Sequence, residues 1–583
     1  MRFSRASRFN RFNKLSILIS GLLLSLPVLG IAATKINIKG LESYPKLQEY
    51  LETMVVTNYQ ETRVNTYALK QDTLKALQAK GYYDATVNLS NHHEKYTLLI
   101  EPLNIYHISD IQIQGYDYKQ SLNIKTGDVI IAEEVLAQQK DILSSIKSHN
   151  CFYQLSVQNE IYLDHDKQLA EIIFRVTAGR DAKFGQTKFT ELKTINPGYI
   201  KSLITYKENT CWDADKVEET KTALMNTGLF SYIKTNLPET PNTNGMVDIN
   251  FDFEERPPRS VRLGVNYTSD EGPGFISKWS HRNILGSAEE LAFDLKTSLI
   301  IQSLKTDFFK PQIFGTKQSL SVGSLLEHKD TDAYEELKLN FNTKYIHKHS
   351  KTLTASLGTT AGISEITAVD TDKKKKEKQT FGLISFPGVL TFDDRDDKLD
   401  SHNGIFSQST VEPFGDLLGS SAPFLRLNQT NSFYFDLSNY LLLDPILAFR
   451  TNLGGIFGHN TADIPASNRY YAGGGNSVRG VQLQYAGPIK DGDPTGGRSL
   501  VELSSELRLK VTSSIGVVGF VDAGNVYETS LPDFKKGFFL GTGAGLRYFT
   551  GFGPIRLDLA IPVNKLKKQK EHFQFYISIG QAF

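Results

Sequence analysis

The stretch Gly473–Pro488, GGGNSVRGVQLQYAGP, sets several glycines around a lone arginine, Arg479. Glycine-rich loops hold phosphates when a Lys-Ser/Thr pair and a helix N-terminus follow them. Neither follows here, and QLQY continues in strand-like fashion. Two readings stay open. The loop is a mobile surface segment, or it folds into an enclosed space where glycine permits close-packed backbone. In the second case the arginine needs anionic partners, because an unpaired charge out of water is strongly unfavourable. Glu506 in ELSSELRL and Asp522 in FVDAG are the candidates. A guanidinium forks onto carboxylates with parallel hydrogen bonds that lysine cannot imitate. Gly480, directly after the arginine, belongs to the same docking set. No other constellation points to bond-making chemistry. His92, His93, His347 and His349 sit in polar surroundings without a nucleophile or a metal-ligand set. They read as surface histidines, and neither an enzyme, a metal nor a cofactor is expected.

The elements that place these residues begin with an export segment. Arg2, Arg5, Arg8, Arg11 and Lys14 precede the apolar run LSILISGLLLSLPVLGIAA, and small residues offer a cut after Ala32 or Ala33. Basic head, short apolar middle and small-residue exit describe a cleaved secretory signal over residues 1–33. Pro27 and the small-residue ending argue against a retained anchor. No later stretch approaches the roughly 20 apolar residues of a membrane helix. The exported chain is therefore either water-soluble or inserted as a β-barrel, the other structure that satisfies its backbone in lipid. Lys+Arg number 65 and Asp+Glu 64; without the five bases of the signal the balance is 60 against 64. Nothing in it favours nucleic acid. Cys151 and Cys211 are the only cysteines and match no metal pattern. A bridge pinning two modules and a pair of buried thiols both remain open.

From Pro258 to Phe583 the chain reads almost entirely as strands. Val501, Leu503, Leu507 and Leu509 alternate with Glu502, Ser504, Glu506 and Arg508; Leu337, Leu339 and Phe341 alternate with Lys338, Asn340 and Asn342. In the last strand, FQFYISIGQAF, Phe573, Phe575, Ile577, Ile579 and Phe583 share one parity. A soluble sandwich also alternates. Export, strand lengths near ten, and Glu and Arg on the second face favour a transmembrane barrel with a wet lumen. Sixteen candidate strands follow from Arg259, and the long connections SEITAVDTDKKKKEK and His459–Gly497 fall on one side of them. The glycine-rich loop then joins strands eleven and twelve.

The front mixes helix and strand periodicity in three units of similar order, 34–105, 106–180 and 181–257. Each has an opening strand, helical sequence (VNTYALKQDTLKALQAK, AEEVLAQQKDILSSI, DADKVEETKTALMNTG) and two closing strands. Asp213 is placed to start the last of these helices and Gly228 to end it. Repeated βααββ units are the expected organisation.

The order of signal, three modules and sixteen-stranded barrel, with SVRG in a long sixth outer loop, FVDAG and a terminal Phe, resembles the outer-membrane assembly and translocation superfamily. GPIRLDLAIPVN and FQFYISIG are similar to the final strands of its translocation and assembly module branch, the TamA type. The resemblance implies α+β periplasmic POTRA repeats followed by an all-β, 16-stranded barrel (258–583) in the outer membrane of a Gram-negative bacterium. It implies a machine that assists insertion of autotransporter-type and other β-barrel clients. Its partners would be those unfolded clients, outer-membrane lipid and a TamB-like inner-membrane-anchored protein. It also implies that Arg479 docks on Glu506 and Asp522. Val481 departs from the aromatic residue usual after VRG, which puts aromatic packing there in question. A two-partner secretion transporter and a conduit for phospholipid are the alternatives.

Barrel closure joins strand one, about Arg259–Thr268, to strand sixteen, about Phe573–Phe583. Gly264 and Gly580 should weaken that line, since glycine packs nothing and loses more backbone entropy. Val265 and Ile579, with Phe583, mark the expected lateral seam, where a client strand could pair by augmentation. Purified protein is expected to require detergent and to change gel mobility on heating. A water-soluble, heat-insensitive product would refute the barrel.

Overall fold

The computed structural model describes residues 36–59, 65–92, 95–369, 376–438, 443–551, 553–564, 572–579 and 581–583. The signal segment, His93, most of the Lys373–Lys376 run and Gly580 lie outside them. No helix among the described residues is long and apolar enough to cross a membrane. Contacts divide the chain into two units, 1–181 and 182–583.

The first unit holds two modules. One runs β1 (Ile36–Lys39), α1 (Pro45–Asn58), α2 (Thr66–Ala79), β2 (Thr86–His92) and β3 (Lys95–Glu101). The other runs β4 (His107–Gln114), α3 (Ala132–His149), β5 (Ser156–Asp164) and β6 (Leu169–Thr177). In both, the first strand lies parallel to the third and the second antiparallel to it. The βααββ expectation needs amendment in the second module, which has one described helix. Where a first helix would sit, Gly127 adopts φ +93° and the Asp128 carboxylate accepts the Lys125 N–H at 2.8 Å. That turn chemistry competes with helix. Helix α3 buries Val135, Gln138, Ile142 and Ile146, a stripe at helical spacing, against Ile172 and Phe174 of β6. Cys151 and Cys211 are both in disulfide form.

The second unit opens with a module of the same topology: β7 (Lys183–Phe189), α4 (Pro197–Ser202), α5 (Ala214–Met225), β8 (Phe230–Asn236) and β9 (Met246–Glu255). Asp213 caps α5 by accepting the Asp215 N–H at 3.0 Å, and Gly228 follows the helix with φ +70°. The barrel comes next. Its first strands are β10 (Arg259–Thr268), β11 (Gly272–His281), β12 (Glu290–Thr297) and β13 (Ile301–Pro311). Then come β14 (Gln318–Asp330), β15 (Tyr334–Lys348) and β16 (Leu353–Val369). β17 is a strand in two segments, Lys376–Ser385 and Gly388–Asp393, both pairing with the same two neighbours. Phe386 and Pro387 separate the segments, and proline has no N–H for the ladder. The series continues through β18 (Gly404–Asp416), β19 (Phe424–Asp436), β20 (Ile446–Phe457) and β21 (Ser499–Lys510). It ends with β22 (Ile515–Tyr527), β23 (Phe539–Thr550), β24 (Gly553–Pro562) and β25 (Gln574–Ile579). The sixteen strands form a closed antiparallel barrel.

Alternation sets which side chains face lipid. Val261, Leu263, Val265, Leu337, Leu339, Phe341 and Leu503 are exposed on the outer face, while Glu502, Ser504, Glu506 and Arg508 are buried inside. Polar side chains cross-link strands on the lumen side, as in Thr430 to Asn452 (3.2 Å) and Asn452 to Glu502 (2.8 Å). The third module is tied to the barrel beneath the β11–β12 turn. Asn196 N–H donates to Gly286 O at 2.7 Å and Asn283 Nδ2 to Thr194 O at 3.0 Å.

Phe174 is fully buried at the centre of the second module. Phe174→Ala is expected to destabilise that module by about 3–5 kcal/mol. The change should appear as earlier cleavage in 1–181 under limited proteolysis, with the barrel's heat-modifiable mobility retained.

Candidate functional site

The connection between β20 and β21 folds into the lumen. Its base is pinned by Tyr470, whose phenol donates to Leu427 O at 2.7 Å and whose backbone pairs with Gly497. Farther along, Gln482 Nε2 and Tyr485 Oη donate to Asp332 at 3.2 and 3.0 Å. Burial, together with that carboxylate, pushes the Tyr485 phenol up to about 12. Val478 and Val481 are fully buried with Ala472, Ala486, Leu500 and Val526. Val481 therefore packs in an aliphatic cluster where an aromatic residue was in question.

At the tip, Arg479 is 2% exposed. Its Nε and Nη2 fork onto Asp522 at 2.6 and 2.9 Å, and its backbone N–H donates to the same carboxylate at 3.1 Å. Nη1 donates to Glu506 at 2.7 Å and to Asp558 at 3.0 Å. The guanidinium carbon lies 3.5 Å from the centroid of the Phe520 ring, a cation–π contact. Arginine does not deprotonate in proteins, so this is a permanent charge held by three fully buried carboxylates. Those acids have further partners. Arg508 Nε donates to Glu506 at 2.9 Å, while Arg556 Nε and Arg547 Nη1 donate to Asp558 at 2.6 and 2.5 Å.

Close backbone approach makes the contact feasible. A Cβ on Gly541 of β23 would stand 1.7 Å from Arg479 O, and one on Gly524 of β22 would stand 2.7 Å from Val478 Cγ2. Gly480 has φ +86°, and a Cβ there would lie 2.7 Å from the Ile561 carbonyl carbon. Its N–H donates to Tyr576 Oη at 3.2 Å. Arg479, Gly480, Glu506 and Asp522 are thus brought together. Asp558, Phe520 and Tyr576 were missed, although Asp558 shares the inward parity of Arg556 in IRLDLAI.

The seam is short. Between β10 and β25 only Tyr267 with Ile577 and Thr268 with Tyr576 form ladder pairs among the described residues. Ser269 N–H adds one bond to Phe575 O at 2.9 Å. By contrast, all of β10 from Arg259 to Thr268 is paired with β11. Continuing the seam register would bring Val265 opposite Ile579. A Cβ on Gly264 would meet nothing within 4 Å. Phe583 needs correction: it is not on the outer side of the seam. β25 ends at Ile579, and the chain then turns inward. Gln581 bonds Arg547 and Asp400 at 2.8 Å each, and the Phe583 ring lies 6.4 Å from that of Tyr434 and 5.4 Å from the Arg508 guanidinium.

Among the described residues no cluster could hold a metal ion. A lipid-facing barrel with an internal ion-paired loop and α/β modules ahead of it defines a class of outer-membrane protein with periplasmic modules. The family description "Omp85 superfamily domain" matches residues 283–583, and a POTRA description, "Surface antigen variable number repeat", matches residues 182–256. The chain belongs to the Omp85 superfamily. It is 22% identical over 530 residues to the outer membrane protein assembly factor BamA of Neisseria meningitidis, covering 81% of this chain and 65% of that protein. It is likewise 22% identical over 385 residues to BamA of Nitratidesulfovibrio vulgaris, covering 64% of this chain and 48% of that one. The chain thus spans about half to two thirds of these bacterial relatives. A sorting and assembly machinery component 50 homolog of Xenopus laevis is 24% identical, covering 58% of this chain and 70% of that protein. The fold is similar to the crystal structure of Haemophilus ducreyi BamA lacking POTRA domains 1–3, with TM-score 0.64 at 20% identity, covering 81% of this chain and 99% of that one.

Removing one partner of a buried ion pair costs about 3–5 kcal/mol. Arg479→Ala is expected to release the loop to protease, and Arg479→Lys to restore protection only partly. Gly541→Ala leaves every charge in place yet should also loosen the loop by displacing Arg479 O. Wild-type protection in both Arg479→Ala and Gly541→Ala would show that the docking contributes nothing.

Proposed function

We propose that this protein assists insertion of other β-barrels into the outer membrane by offering its first barrel strand to an incoming one. The observation that carries the reading is the two-pair seam. β10 is fully laddered on one side, yet residues 259–266 have no ladder partner in β25. A backbone group left unpaired in lipid costs several kcal/mol. A client strand would satisfy those groups by augmentation. Val261, Leu263 and Val265, between 63% and 77% exposed, present an apolar row along the same edge, which suits a client whose outer face is itself greasy. No bond-making step is required, and none is invoked.

The partners follow from this reading: unfolded β-barrel clients, autotransporters among them, and outer-membrane lipid. The finer assignment, to the translocation and assembly module type with a TamB-like inner-membrane-anchored partner, draws its support from the sequence resemblance in SVRG, FVDAG and the last two strands. BamA relatives named as assembly factors support the broader reading.

The register gives a direct test. A disulfide between Val265→Cys and Ile579→Cys should extend the seam and lock it. Client assembly is expected to fall at least tenfold and to recover on reduction. Undiminished assembly with the lock formed would rule out sideways gating.

A further inference from the structure

The docked loop touches both sides of the seam, and it does so where the described residues of the seam are paired. On one side, Gly475 N–H donates to Asp270 Oδ2 at 2.8 Å. Asp270 lies in the turn between β10 and β11, two residues beyond the last seam pair. On the other side, Gly480 N–H donates to Tyr576 Oη at 3.2 Å. Tyr576 is itself the ladder partner of Thr268 and is 2% exposed. Its ring lies directly under the loop, since a Cβ on Gly475 would be 2.7 Å from it. Toward the barrel wall, Tyr576 is paired in register with Asp558 of β24, one of the three carboxylates around Arg479.

We infer that the loop tip is a latch across the seam: Asp270 and Tyr576 are positioning residues through which the Arg479 clamp holds the last seam pairs shut. Deeper in the barrel, where the loop does not reach, β10 and β25 are not laddered. Undocking removes one hydrogen bond from the β10–β11 turn, one from β25, and the backbone resting on the Tyr576 ring. The pairs at Tyr267, Thr268 and Ser269 are then left without cover. Opening the seam thereby requires the loop to leave first, and a client strand entering the seam competes with the loop. This inference rests on the insertion reading for its purpose but not for its test.

The test measures backbone hydrogen exchange in the full chain in lipid nanodiscs, without client. Asp270→Ala combined with Tyr576→Phe removes both acceptors and keeps the ring. A net hydrogen bond amounts to roughly 1 kcal/mol, so protection of 267–269 and 575–577 should fall about tenfold or more. Peptides from β22, remote from the seam, should keep wild-type protection. Gly475→Ala, approaching from the loop side with both acceptors intact, should give the same selective loss. Wild-type protection at the seam in both variants would overturn the latch. Client assembly is measured separately: selective loss of protection with unchanged assembly would keep the latch and reject the insertion reading.

Discussion

A guanidinium carried on a loop into the lumen, met there by carboxylates from three different strands, is the constraint on which the rest of this barrel is arranged. Glu506 comes from β21, Asp522 from β22 and Asp558 from β24. A buried ion cluster is weak evidence for stability, because desolvation offsets much of the attraction. Its stronger consequence is register. Asp522 accepts both the Arg479 fork and the Arg479 backbone N–H, so only one position along the loop fits. The glycines add a steric condition to the electrostatic one. Gly524 and Gly541 clear the wall where Val478 and Arg479 rest, and Gly480 clears the loop over Ile561. Charge alone would tolerate a sliding loop; backbone contact at these three points does not.

The same lumen produces a firm wall and a weak joining line. From β21 to β24 the ladders are continuous, and the loop rests its apolar cluster and its arginine against that face. At β10–β25 the ladder is two pairs long among the described residues. The difference lies in the last strand: six residues of β25 are paired with β24, and then the chain turns inward to Gln581 and Phe583. A strand that leaves the sheet cannot continue its ladder, so most of β10 is an edge. Edges are usually hidden or blunted because they recruit other strands. Here the edge carries exposed Val261, Leu263 and Val265, which is a hazard in water and suits the proposed pairing with client strands.

Much of this was legible in the sequence, for reasons that also explain the failures. Period-two alternation with charged residues on one parity told lumen from lipid, and it aimed Glu506 inward correctly. Asp522 was harder because its strand, VVGFVDAGNVY, alternates poorly; the reason is now visible, since inward-facing Phe520 and Gly524 lie against Arg479 and Val478 of the loop. Asp558 had the right parity but nothing local to mark it, and its pairing with Arg479 spans 79 residues of sequence. Phe583 was grouped with Ile579 at the seam because parity presumes that a strand runs on, whereas β25 ends at Ile579. The break in β17 at Phe386 and Pro387 left the strand count intact because both segments share neighbours. In the second module, turn chemistry around Gly127 overrode the expectation carried over from the other two repeats.

Under the proposed insertion function, the geometry orders events along the seam. The third module is fastened at the β11–β12 turn, on the side of the barrel where β10 begins, so that side faces the periplasm. The unpaired stretch of β10, 259–266, lies toward that end, and the paired residues 267–268 lie toward the outer end beneath the loop. A strand arriving from the periplasm therefore meets open backbone first and closed backbone last. Pairing that begins at 259 gains hydrogen bonds without breaking any, and only at Tyr267 must it displace an existing partner. By then most of the new ladder has formed, so the displacement is carried by bonds already made. A seam closed along its whole length would require the opposite order, breaking before making, in a medium where unpaired backbone is most costly.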